Sequence, residues 1–315
     1  MNCLESTHAA AVLILFFLFK FKWKDERHIE AEQCTASPSP SPVAPTLAKV
    51  IEPKVGLPGD DALARLHPSA TAMERKRFLV ARDGKIADAS KALDYYLSWL
   101  EKYDKVAKEN EISFSKANKS DKCIYKDATL IAIKSLKKGK TKTELPRIIR
   151  THRLNGVDVS DRNGNRIFHL LPAQMDAALA KPPTYALIIV LYLHQMLKRD
   201  DDERINVCID VRAGLGWPNP KIFKLIPFIK TMASMLMALF PERLETCIIY
   251  PVPSALLWVW KGIKPYIDPV TRDKICLLPG GSTKDSPLPL EEMTKYIEED
   301  VALIMEKARI ESFKI

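Results

Sequence analysis

Short runs rich in β-branched residues alternate with longer helical stretches in the second half of the chain. Residues 205–211 form a run of the kind expected of a strand covered on both faces, and residues 247–250 and 274–278 predict two further strands. Apolar residues at helical spacing predict helices between them. Strands that alternate with helices indicate βαβ units and a largely parallel or mixed sheet. The helices are predicted at residues 185–197, 220–240 and 254–264.

The first half has a different pattern, which is mainly helical. Residues 73–82 predict a short helix closed by Asp83-Gly84, and residues 86–103 predict an amphipathic helix. The lysine-rich stretch 104–150 is typical of a solvated face or a flexible loop, with attraction to anionic headgroups as its alternative role.

Two further local patterns predict a hairpin and a C-terminal helix. An Asn163-Gly164 turn predicts a hairpin between residues 157–159 and 166–170. From Leu290 to Ile304, apolar residues recur as in a closing amphipathic helix.

The N-terminal segment carries an apolar run at residues 9–19, followed by lysines. The run is shorter than the roughly 20 apolar residues that span a bilayer. It is either a short membrane anchor or a non-globular extension, and the proline-rich stretch 35–59 predicts a linker. The predicted organisation is therefore a largely disordered segment 1–59, a helical part 60–145 with its lysine-rich connection, and an α/β domain 146–315.

Composition narrows the class of partner. The 315 residues carry a net charge of +9, which suits nucleic acid or an anionic membrane surface. The sequence has no zinc-finger spacing, no RNA-binding aromatic signature and no basic helix followed by heptads, so we expect a membrane surface and no nucleic acid. Six scattered cysteines without a CxxC pair indicate a reduced, cytoplasmic protein without a metal site.

Catalytic motifs are missing from the sequence. It contains no phosphate-binding GxxxxGK[ST] loop and no GxSxG nucleophile motif. His169 and His194 lie in apolar surroundings, which is more typical of structural histidines than of bases. We therefore predict no catalytic residues, no cofactor and no enzymatic activity.

The predicted helix 254–264 is apolar almost all round until Lys261, and its side chains include Leu256, Leu257, Trp258 and Trp260. A helix of this kind is usually part of a core. Indole rings also favour the membrane interface, so a lid that closes over a pocket is the alternative.

Three ordered motifs resemble a known family. They are Phe240-Pro241-Glu242-Arg243-Leu244, Lys264-Pro265-Tyr266-Ile267-Asp268-Pro269 and Thr271-Arg272-Asp273-Lys274-Ile275, preceded by Arg77-Phe78-Leu79-Val80-Ala81-Arg82. This set resembles the CRAL-TRIO lipid-binding family and its yeast-type phosphatidylinositol/phosphatidylcholine transfer proteins. The resemblance implies a helical N-terminal subdomain, then an α/β sandwich whose apolar gate helix lies over a lipid pocket.

The resemblance also implies a headgroup site made by Arg82, Glu242, Thr271 and Lys274. Lys274 and Thr271 would bind the lipid phosphate, while Glu242 would accept hydrogen bonds from inositol hydroxyls and pair with Arg82. The alternative is a plain salt bridge between Arg82 and Glu242. The chain departs from the family pattern at Pro251-Val252-Pro253, where Asn-x-Pro is usual, and the extra proline would stiffen the gate.

The resulting hypothesis is a monomeric, non-enzymatic carrier that transfers one phospholipid, phosphatidylinositol, between cytoplasmic membranes and docks peripherally on anionic surfaces. Three alternatives stay open. The cargo is another hydrophobe such as a retinoid, tocopherol or sterol-like molecule, the protein is a membrane-tethered lipid-sensing scaffold, or it is a lipid-modifying enzyme.

Overall fold

The computed structural model describes residues 59–112, 119–136, 145–176, 178–214, 222–263 and 269–313. Within them, a helical N-terminal part precedes a mixed α/β part, as the sequence predicts. Among the helices of these residues, none is both long and apolar enough to cross a membrane. The predicted apolar segment 9–19 and all but the last residue of the predicted linker 35–59 lie outside the described residues.

The described residues of the N-terminal part form four helices. A capping box starts the second one: Thr71 Oγ1 accepts a hydrogen bond from the Glu74 amide at 3.1 Å, and the Glu74 carboxylate accepts one from the Thr71 amide at 2.8 Å. That helix ends at Val80, and the predicted closing residues Asp83 and Gly84 lie in the turn after it, where both have positive φ. The four helices are α1 (Asp60–Leu66), α2 (Ala72–Val80), α3 (Ile86–Glu109) and α4 (Asp121–Ser135).

The centre of the α/β part is a five-stranded sheet in the order β1-β4-β5-β6-β7. Strands β4 to β7 run parallel, and β1 is antiparallel to β4. A separate hairpin, made of two strands of two residues each, lies outside this sheet. The strands are β1 (Ile149–Arg150), β2 (Arg153–Leu154), β3 (Val157–Asp158), β4 (Arg166–Leu170), β5 (Ile205–Asp210), β6 (Leu244–Val252) and β7 (Ile275–Pro279).

The remaining helices follow or connect these strands, and a 3-10 turn (Pro172–Gln174) follows β4. Two proline residues open the first of these helices, where a missing amide hydrogen costs nothing. The helices are α5 (Pro182–Met196), α6 (Ile222–Leu239), α7 (Ser254–Ile263), α8 (Pro269–Asp273), α9 (Leu290–Met293) and α10 (Glu299–Ser312).

Hydrophobic residues pack on both faces of the sheet. Phe168 and Ile209 belong to a large cluster with α3 to α6, whereas their neighbours Ile167 and Cys208 belong to a smaller cluster with the C-terminal helices. Successive side chains of a strand point to opposite faces, so adjacent residues enter different clusters. The sheet is thus covered on both sides, as its apolar strands predict.

Three predicted elements differ from the structure. Residues 157–158 pair with 153–154 around Asn155-Gly156. The hairpin predicted between 157–159 and 166–170 therefore forms only next to its turn, where Ser160 bridges Arg166 and the Ile167 amide donates to the Val159 carbonyl at 3.2 Å. The lysine-rich stretch is not simply a loop, because it contains α4, whose buried side includes Ile124 and Ile131. The closing helix is two helices, α9 and α10, rather than one.

Candidate functional site

The turn between α6 and β6 holds Glu242 in a left-handed backbone conformation, with φ of 59°. A residue other than glycine pays on the order of 1–3 kcal/mol for such a conformation. Glu242 is half-buried, and the next residue, Arg243, is buried. Arg243 holds the turn by donating to Asp201 Oδ1 and to the Glu203 carbonyl, each at 2.7 Å.

Lys274 lies opposite this turn. Its Nζ is 4.0 Å from Glu242 Oε2, and its carbonyl accepts a hydrogen bond from the Cys247 amide at 2.7 Å. Both side chains of the ion pair are partly exposed, so solvent limits the pair to about 1 kcal/mol or less. The ion pair therefore stabilises the turn by less than the left-handed backbone of Glu242 can destabilise it.

The other two predicted headgroup residues lie on separate elements. Thr271 is in α8, one turn before Lys274, and its side chain lies outside the described part. Arg82 lies in the turn after α2, is half-buried, and donates to the Ala81 carbonyl at 3.0 Å. Among the ion pairs of the described residues, Glu242 is paired with Lys274, and the expected pair between Arg82 and Glu242 is not formed.

The predicted gate helix is α7, which begins at Ser254 as expected. Trp258 is 78% exposed, whereas Trp260, two residues later, is 7% exposed. Leu257 is half-buried, and the Leu256 side chain lies outside the described part. One indole is therefore packed inside while another is presented to solvent beside the exposed Lys261.

Sequence analysis missed the polar clasp that joins the N-terminal helices to the α/β part. Glu74 is fully buried, and its two carboxylate oxygens accept hydrogen bonds from Arg199 Nε at 2.7 Å and a second Arg199 nitrogen at 2.9 Å. The Tyr96 hydroxyl donates to the same carboxylate at 2.6 Å. Burial opposes ionisation, but these bonds and that of the Thr71 amide hold the pKa of Glu74 below its usual value. The Thr71-x-x-Glu74 capping box was a sequence signal for the position of Glu74, but not for its partner 125 residues away.

The histidine prediction is confirmed for His169. This residue is fully buried between His152, at 3.0 Å, and the Tyr250 hydroxyl, at 3.1 Å. Burial, with Arg150 and Arg147 nearby, lowers the pKa of His152 to about 3. The two rings are therefore neutral parts of the core near pH 7.

Comparison with known proteins gives one match to a family model. Residues 150–303 match the model of the CRAL/TRIO domain. No curated protein sequence matches the chain significantly. Among solved structures, the crystal structure of Sfh5 is similar to 67% of this chain at 16% identity, with a TM-score of 0.42. The match spans 65% of the Sfh5 chain, slightly less than two thirds.

The matched region begins at the second residue of β1 and ends in α10, so it contains strands β4 to β7, the turn at Glu242, the predicted gate helix α7 and Lys274. The helices α1 to α4 precede it. The residues that match the CRAL/TRIO model make up just under half of the length of the chain.

Proposed function

We propose that the protein binds one phosphatidylinositol molecule and transfers it between membranes without chemically changing it. A CRAL/TRIO domain supports binding of a lipid or another hydrophobic ligand. The finer assignment of the cargo is supported by one observation above all. Glu242, in its left-handed turn, and Lys274 place a carboxylate and an ammonium group 4.0 Å apart.

These two groups match the chemistry of an inositol phospholipid. Its phosphodiester is an anion that an ammonium group binds by charge-assisted hydrogen bonds, and its ring hydroxyls are donors that a carboxylate accepts. Both groups are partly exposed, so a headgroup can reach them. Thr271 and Arg82 complete the proposed set from their positions in α8 and in the turn after α2.

Membrane docking is proposed to occur through α7. Trp258 exposes a large amphipathic ring, and Lys261 on the same helix is exposed and suited to anionic headgroups. In this proposal α7 closes a lipid pocket, residues 60–145 and 146–315 act as its two subdomains, and residues 1–59 form a separate tether. Docking is peripheral and cytoplasmic, and a monomer suffices because a single pocket is used.

Transfer of labelled phosphatidylinositol between vesicles tests the assignment. Lys274→Ala removes the charged donor, so the transfer rate should fall about tenfold or more, as expected from the loss of a hydrogen bond to a charged group. Lys284→Ala is the matched control, since this lysine is exposed in the loop after β7. Equal transfer by the two variants would refute the headgroup site.

The three alternative functions predict different results for the same purified protein. A retinoid, tocopherol or sterol-like cargo would be extracted from the protein in place of a phospholipid. A lipid-sensing scaffold would bind vesicles and transfer nothing. A lipid-modifying enzyme would convert the added lipid into a product.

A further inference from the structure

A row of three lysines follows the exposed side of α4. Lys122, Lys126 and Lys134 are exposed, whereas Ile124 and Ile131 on the other side of the helix are buried. At 3.6 residues per turn and 1.5 Å per residue, the three lysines lie within roughly a third of the circumference of the helix and span about 18 Å of its length. Every exposed charged side chain of α4 is one of these lysines. We call this surface the lysine face.

The carboxylates of α4 do not neutralise the lysine face. Asp121 is half-buried and paired with Arg147, and Asp127 is half-buried and paired with Lys119. Among the described residues, no carboxylate oxygen lies within 4.0 Å of an ammonium group of the lysine face. The three lysines therefore remain as unpaired positive charges in contact with water.

The end of α3, the helix that precedes α4, does not remove this excess. Residues 101–111 carry three lysines and four acidic residues, which sum to one negative charge. A single negative charge, outside ion-pair distance, leaves the lysine face with a clear excess of positive charge.

Acidic residues are concentrated on the opposite side of the sheet. Residues 290–313, which include α9 and α10, carry seven acidic and three basic residues. These helices belong to the smaller hydrophobic cluster on one face of the sheet, whereas α4 belongs to the larger cluster on the other face. A protein polarised in this way is oriented by an anionic surface, with its lysine face forward and its acidic helices away.

We propose that the lysine face of α4 is a contact for an anionic membrane surface, separate from the contact proposed at α7. Lysines near such a surface are attracted to it without inserting into the lipid. Three charges spread over about 18 Å suit a plane of many headgroups better than one small anion. This inference rests on the proposed membrane function, but not on the identity of the cargo.

Nucleic acid is the competing anionic partner. Proteins that bind single strands combine positive charge with aromatic side chains on which the bases stack. The exposed residues of α4 include no aromatic side chain. A membrane surface requires no stacking platform, and a lipid carrier must meet a membrane to load and release its cargo. These two observations favour the membrane.

Sedimentation of the full chain with vesicles tests the proposal. The vesicles contain phosphatidylserine in phosphatidylcholine, or phosphatidylcholine alone. Replacement of all three lysines of the lysine face by glutamine should lower the affinity for phosphatidylserine vesicles on the order of 100-fold at low salt, or about fivefold for each lysine. High salt should remove most of this difference, because it screens exposed charges.

The matched control replaces Lys85, Lys284 and Lys307 by glutamine, which makes the same change of net charge at exposed positions elsewhere. This variant should keep the affinity of the parent, and both triple variants should bind neutral vesicles as the parent does. Equal affinity of the two triple variants for phosphatidylserine vesicles would overturn the proposal. Equal vesicle binding, with weaker binding of a single-stranded oligonucleotide by the lysine-face variant alone, would overturn it in favour of nucleic acid.

The same proteins separate a failure of this inference from a failure of the proposed function. Mass spectrometry of the co-purifying lipid reports the cargo independently of vesicle binding. Phosphatidylinositol in both triple variants, together with equal vesicle affinities, would refute the membrane contact at α4 and leave the proposed cargo intact.

Discussion

Replacement of Arg199 by alanine should lower the free energy of unfolding by about 3 kcal/mol at pH 7. The change removes two of the four hydrogen bonds that Glu74 accepts and leaves a fully buried carboxylate without its cation. Breaking a buried ion pair from one side costs about 3–5 kcal/mol. We expect the lower end, because the Arg199 side chain is 39% exposed and because Tyr96 and the Thr71 amide still donate to Glu74.

The effect should also depend on pH. In the parent, the arginine and the other donors hold the pKa of Glu74 below its usual value despite burial, so Glu74 stabilises the fold at pH 7 and this contribution is lost as the pH falls through that lowered pKa. In Arg199→Ala, burial dominates and should raise the pKa of Glu74 above its usual value. Protonated Glu74 needs no cation, so the difference between parent and variant should shrink from pH 7 towards pH 4.5.

Urea unfolding followed by tryptophan fluorescence measures both effects. Arg204→Ala is the matched control, because Arg204 pairs at 2.8 Å with Glu245 at an exposed site, and loss of such a pair costs at most about 1 kcal/mol. Equal destabilisation by Arg199→Ala and Arg204→Ala, or an Arg199→Ala effect independent of pH, would show that the clasp does not join the two parts of the protein as described.

Three further predictions concern single residues. His152→Gln should reduce the pH dependence of the unfolding free energy by roughly 1 kcal/mol per pH unit between pH 6 and 4.5. In the folded parent, His152 has a pKa of about 3 and stays neutral in this range, whereas an unfolded histidine, with a pKa of about 6.5, gains a proton. An unchanged slope in urea titrations would contradict this. Trp258→Ala should weaken vesicle binding in a sedimentation assay and change the free energy of unfolding by less than about 0.5 kcal/mol, because Trp258 is exposed. Trp260→Ala should lower the free energy of unfolding by about 3–5 kcal/mol, because Trp260 is buried. Similar stability losses in the two variants would contradict the observed difference in burial. Glu242→Gly should abolish phosphatidylinositol transfer without lowering stability, because glycine adopts φ near 59° freely, and a loss of stability in thermal unfolding would count against the strain argument.

Local patterns predicted the order of elements well. Runs with period 2 or 3.6 fix which residues must be buried, so strands β5 to β7 and helices α5 to α7 follow from the sequence alone. The turn at Asp83-Gly84 was also predictable, because glycine readily adopts the left-handed conformation observed at Gly84. The helix α4 was predictable in principle. Ile124, Ala128 and Ile131 recur at helical spacing, but the surrounding lysines obscured that pattern.

Contacts between distant residues were not predictable from local patterns. The partner of residues 157–158 is set by the Asn155-Gly156 turn, although Asn163-Gly164 offers an equally good turn signal. The clasp between Glu74 and Arg199 depends on how two separately encoded parts pack. For the candidate site, the resemblance implied one headgroup site that contains both Glu242 and Lys274, and Lys274 Nζ lies 4.0 Å from Glu242 Oε2. It also placed Arg82 beside Glu242, where the structure has no ion pair between these two described residues.

The central claim concerns the cargo, and mass spectrometry of the lipids that co-purify with the full chain tests it most directly. The parent should be measured beside an Arg82→Ala/Lys274→Ala double variant, with Lys284→Ala as the control for a lost surface charge. We predict phosphatidylinositol in the parent and the control, and its loss from the double variant. Another hydrophobe in the parent, or phosphatidylinositol in equal amounts in all three proteins, would contradict the proposed headgroup site.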